Sequence, residues 1–205
     1  MWLCLLATMI SSCSKDNDND GPQGQGSLEC SYQVTLEGIT TLPNEFGQDM
    51  VVISGADGVD DAEEHFAIQI VQSKGGASNE SLSFTSFIKA TLDRNLALGQ
   101  YPVIAMVSGN FASTDTEMLP LYSNGELSDT ETVDDMVFTL LENSDKRLRM
   151  KISGMAMKTD MVDGEIVELG KVPVEAEISI AADLLNEVVV EGINTIGAIC
   201  ECQDQ

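Results

Sequence analysis

Cys200 and Cys202 stand two residues apart near one end of an acidic chain, and Cys30 lies near the other. Residues two apart on a strand share a face, so a bond between Cys200 and Cys202 would be strained. A disulfide from Cys30 to Cys200 or to Cys202 would tie the two ends of a domain together in an oxidising compartment. Three thiolates could instead hold a metal, but no fourth ligand accompanies them. Carboxylates offer a second chemistry. Asp57, Asp60, Asp61, Glu63 and Glu64 crowd one predicted loop, and Asp129, Glu131, Asp134 and Asp135 crowd another. Calcium takes 6–8 oxygens, often from such loops, so Asp57, Asp60, Asp61 and Glu63 are the candidate calcium ligands. The ordinary reading is a solvated acidic loop.

His65 is the single histidine, at the start of a predicted strand. Nothing in the sequence places a nucleophile beside it, and no GxSxG elbow, HExxH helix or phosphate loop occurs. Carboxylates leave a paired-carboxylate glycosidase open by residue type. Such enzymes hold sugars on aromatic platforms, and the lone tryptophan is Trp2. Tyr122, in the segment LPLYSNGEL, and Tyr101 are the remaining candidate ligand contacts; the ordinary reading for Tyr122 is a loop residue packed on a sheet. The expectation is a protein that is not an enzyme.

The first residues carry the clearest signal. WLCLLATMI, from Trp2 to Ile10, is apolar but short of the roughly 20 residues a spanning helix needs. It fits the apolar region of a secretory signal. The run ends Ile10-Ser11-Ser12-Cys13, which resembles the lipobox of bacterial lipoproteins: an aliphatic residue, two small residues, then cysteine. The resemblance implies diacylglycerol on the Cys13 thiol, cleavage before it, and a membrane partner reached through that lipid. Met1-Trp2 lacks the usual positive start, which suggests a start codon further upstream.

SKDNDNDGPQGQGS follows, with no aliphatic or aromatic residue. It cannot offset the entropy of ordering and reads as a tether, reaching about 20 Å for some 16 residues. Ser14-Lys15-Asp16-Asn17-Asp18 is similar to the acidic export signal of Bacteroidota lipoproteins. That likeness implies the outer face of the outer membrane, with the periplasmic face as alternative. Asp16-x-Asp18-x-Asp20-Gly21 also matches half of a calcium loop, but its twelfth position is Ser27 rather than glutamate. The predicted organisation is a signal peptide over 1–12, a tether over 13–29 and one domain over 30–205.

Acidic residues outnumber basic ones 34 to 10, for a formal charge of −24. That field repels nucleic-acid phosphates and anionic headgroups, so nucleic acid is not an expected partner.

The elements that must position these residues read as short strands. Alternation marks SYQVTL, MVVIS, HFAIQIVQ and SLSFTSFIKATL, then Tyr101, Val103, Ala105 and Val107. DMVFTLLE, RLRMKIS, VPVEAEISI, NEVVVEGI and IGAICEC follow, with one helical turn over 181–186. Arg147, Arg149 and Lys151 alternate with apolar residues, as do Glu175 and Glu177. Antiparallel pairing with Lys151 opposite Glu177 would match charges outside and apolar groups inside. Asp163-Gly164 supplies a turn within the link 159–170. A bulge after Gly154 would turn Met155 and Met157 into the core.

GQYPVIA and KRLRMKISG resemble small β-sandwich lipoproteins of Bacteroidota, a likeness that implies a fold and no activity. The expected fold is an all-β, antiparallel β-sandwich, with a calycin-like closed β-barrel as alternative. The expected function is a non-catalytic, lipid-anchored binding or scaffolding domain with envelope proteins as partners. The alternatives are glycan capture for an uptake system, a fimbria-like subunit adding strands, and a hydrolase.

Overall fold

The computed structural model describes residues 30–43, 49–56, 65–73, 80–92, 95–112, 115–126, 131–184, 186–190 and 193–202. The strands are β1 (Cys30–Leu36), β2 (Ile39–Thr41), β3 (Asp49–Ala56), β4 (His65–Ser73), β5 (Glu80–Ile88) and β6 (Gly99–Ala112). Then come β7 (Asp115–Asn124), β8 (Val133–Asn143), β9 (Arg147–Val162), β10 (Glu165–Ala181), β11 (Asn186–Val190) and β12 (Ile193–Cys202). A single 3₁₀ turn, Ala182–Leu184, answers the predicted helical turn.

All twelve strands belong to one sheet, and every pairing is antiparallel. The all-β expectation is therefore met. The sheet curls around one core, so both walls of that core belong to the same sheet. Strand alternation supplies it: Val34, Ile53, Phe66, Ile68, Phe84, Phe138, Met150, Ile152 and Ile178 all point inward. Phe66 and Phe138 meet edge to face, 5.4 Å between centroids. The two ends of the sheet come together where β1 lies against β12. No ladder joins these two strands among the described residues.

β7 and β8 share one slot. Both lie between β6 and β9, end to end and in the same direction, so they form one strand interrupted by the excursion between Asn124 and Val133. β7 corrects the sequence reading, which left LPLYSNGEL as a loop. Pro120 and the irregular register against β6 hid its alternation. β6 needs a correction too. An irregularity beside Ile88 and Val103 shifts its faces, so Val103 and Met106 are both in the core, while Val107 is only half-buried.

The predicted hairpin of β9 and β10 is present, with Lys151 opposite Glu177. Lys151 reaches Glu175 at 2.7 Å and Glu177 at 3.6 Å. The link 159–170 is not a loop: pairing continues to Val162 and Glu165 around a two-residue turn. Asp163 and Gly164 both have positive φ, 54° and 83°, as a tight hairpin turn requires. The expected bulge at Gly154 is absent; the register shifts at Glu168/Gly170 instead. Ala156 therefore takes the core position, and Met155 and Met157 are half-buried on the opposite face. Gly154 has a packing reason: a Cβ there would strike the Asp135 carbonyl and lie 2.7 Å from the Met136 Cα.

Candidate functional site

The sequence-predicted residues scatter. Cys13 and the calcium candidates Asp57, Asp60, Asp61 and Glu63 lie outside the described residues. Cys30 is buried and disulfide-bonded. Along β12, the register sets Cys200 opposite Val51 and Cys202 opposite Asp49, on the side of the fold that meets β1. His65 opens β4, its ring 6.5 Å from that of Phe87. Among the described residues, no group of three or more metal-type ligands converges. Of the second acidic cluster, Asp135 is taken by Lys171 and by Asn124 Nδ2. These hydrogen bonds hold its carboxyl below the usual carboxylate range, Lys171 contributing most.

The two tyrosines do not form a platform. Tyr122 is 5% exposed, so its ring is not free to stack on a ligand. Its hydroxyl donates to Glu37 Oε2 at 3.1 Å, and burial, then that carboxylate, pushes its pKa up to about 12. Tyr101 is half-buried against the core, 6.1 Å from the Phe138 ring, and its hydroxyl donates to the Ala97 carbonyl at 2.7 Å.

Two polar clusters hold the sheet's margins. Tyr32 Oη donates to Asp49 Oδ2 at 2.8 Å. Gln72 Nε2 reaches Tyr32 Oη at 2.9 Å and the Leu42 carbonyl at 2.6 Å. Burial, aided by Asp49, pushes the Tyr32 phenol far above its ordinary pKa. This clasp joins β1 and the segment after β2 to β3 and β4, across the seam. At the other margin, Glu37 sits at φ 50° in the Glu37-Gly38 turn, a left-handed conformation that glutamate seldom adopts. Lys158 Nζ donates to its carboxylate at 2.7 Å, and this contact more than any other lowers the Glu37 pKa. Strain at the turn is held by a tie to β9 and β7.

What remains is the outer half of the β9–β10 hairpin. Thr159 is the last β9 residue that pairs with β7. Val174 is the first β10 residue that pairs with β1. Beyond these points the two strands pair only with each other among the described residues. From Thr159 to the turn the ribbon extends about 14 Å. Ile166 is 74% exposed and sits opposite Met161, itself 41% exposed. Val162, Val167 and Leu169 are exposed as well. Cross-strand partners share a face, so Ile166 and Met161 lie on one face and Val162 and Val167 on the other. Asp160, Asp163, Glu165 and Glu168 carry the charge. Lys158 and Lys171, at the base, are engaged by Glu37 and Asp135.

Sequence reasoning missed this ribbon, although its signal was present. Apolar residues stand on both sides of Asp163-Gly164, in a segment read as a link. No family model matches the chain, and neither a curated protein nor a solved structure matches it.

Proposed function

We propose that the chain is a non-catalytic, lipid-anchored surface protein of the outer membrane whose β domain docks another envelope protein through the β9–β10 ribbon. The observation that carries the docking is the ribbon's composition. It projects past the core and exposes five large apolar side chains on its two faces. A two-stranded ribbon is marginal in water by itself, and contiguous exposed apolar surface marks interaction sites. The anchor rests on Ile10-Ser11-Ser12-Cys13, and the outward address on the acidic residues after it. Glycan capture gains no support from its two candidate contacts: Tyr122 is buried and Tyr101 is half-buried.

A photo-crosslinking residue at position 166 tests the docking, with the same residue at Arg149, exposed on the hairpin's inner half, as control. In intact cells, position 166 should give a discrete cross-linked species and position 149 none. Equal products from both, or none from either, would refute the docking role. Palmitate-analogue labelling should tag the natural chain and spare Cys13→Ala; labelling of neither would remove the anchor.

A further inference from the structure

We infer that the outer edge of β10, from Glu165 to Lys171, receives an extended basic segment of the partner protein as an added strand. This rests on the docking role of the ribbon and specifies how the partner binds. Three observations converge on it.

First, among the described residues the edge has open backbone. β9 occupies one side of β10 along its whole length, whereas β1 occupies the other side only from Val174 onward. Pro173 marks the border: its carbonyl accepts the Glu37 N–H at 3.2 Å, and it has no N–H to offer. Unpaired ladder groups are a template for another strand.

Second, apolar groups lie on both faces. A helix laid on the ribbon would cover one face and leave the backbone edge unpaired. An added strand places alternate side chains beside Ile166 on one face and Val167 on the other.

Third, the charge selects the partner. Asp160, Asp163, Glu165 and Glu168 have no basic partner among the described residues, and both neighbouring lysines are engaged elsewhere. A second copy of this chain would bring another formal charge of −24 and the same acids to the edge. Like charges set side by side across a ladder are destabilising. The acids thus reject self-pairing and favour lysine or arginine in the incoming strand.

The test uses the full chain and a fluorescein-labelled octapeptide of alternating lysine and valine, followed by anisotropy at about 0.15 M salt. Its comparators are a glutamate–valine octapeptide and a lysine–valine octapeptide with alternate backbone nitrogens methylated. The ribbon variant is Glu165→Lys with Glu168→Lys. The control, Asp145→Lys with Asp183→Lys, makes the same net charge change at exposed sites away from the ribbon. The lysine–valine peptide should bind about tenfold more tightly than either comparator, and about tenfold more weakly to the ribbon variant alone. Equal losses in both variants, or undiminished binding of the methylated peptide, would overturn strand addition in favour of attraction to the whole acidic body. If cross-linking at position 166 succeeds and no peptide binds, strand addition falls while docking stands. If both fail, both fall.

Discussion

The inner and outer halves of the β9–β10 hairpin share one ladder and obey opposite rules. Inside, residues 147–159 and 174–181 lie within the sheet between β8, β7 and β1. Leu148, Met150, Ile152, Ala176, Ile178 and Ile180 are buried, and charged residues hold the other face. Outside, from Asp160 to Leu169, every β10 residue is exposed and apolar groups sit on both faces. Burial follows from what lies beside each half, since both halves are strands of one antiparallel ladder. The inner half owes its order to the core. The outer half extends a ladder that the core has already set in register, and this lets it display surface that a free ribbon could not hold.

The contrast breaks most sharply under side-chain truncation. Phe138→Ala, in the core the inner half covers, should cost about 3–5 kcal/mol. Ile166→Ala should fall within about 0.5 kcal/mol of the natural chain. Urea denaturation measures both, and a cost above about 2 kcal/mol at Ile166 would mean that the ribbon packs on the body.

Glycines sharpen it next. Gly154→Ala drives a Cβ into the backbone at Asp135 and Met136, so a loss of about 1–3 kcal/mol is expected. Gly164→Ala meets no atom within 4 Å but must hold φ +83°; its loss should be about 1 kcal/mol. Equal midpoints for the two variants would contradict the close crossing of β8 and β9.

The smallest effects come from the ties at the base. Hydrogen bonds lower the pKa of Glu37 and Asp135 in the fold. Their stabilisation is present above the unfolded carboxylate pKa and is lost as pH falls through the folded one. Tyr122 runs the other way. Its folded pKa is raised from 10.0 to about 12, so its contribution is intact below pH 10 and lost as pH rises to about 12. Melting temperature against pH should decline at both ends. Tyr122→Phe should flatten the alkaline limb in part, leaving the Tyr32 share. An unchanged alkaline limb would detach Tyr122 from the tie.

Much of the body was legible because period-two alternation against one core leaves a clear trace. Lys151 opposite Glu177 was readable since opposite charges and apolar groups alternate in phase on both strands. Cys30 was readable as a disulfide partner from its place at the start of the domain. Other features left weaker traces. β7 contains a proline and pairs irregularly. Met155 and Met157 looked like core residues because they are large and apolar, but parity gives that place to Ala156. Tyr122 read as a loop residue whose ordinary place is packed on the sheet; it is buried, but on a strand rather than a loop.

By itself, the sequence determined the all-β character, the acidic surface and the register of the central hairpin, because these depend on contacts between near neighbours or on composition. Only the tertiary structure decided where β1 stops along β10 and how far β7 runs along β9, and hence that residues 161–169 stand clear of the core. Exposure of a strand depends on what packs beside it, and those neighbours come from distant parts of the chain.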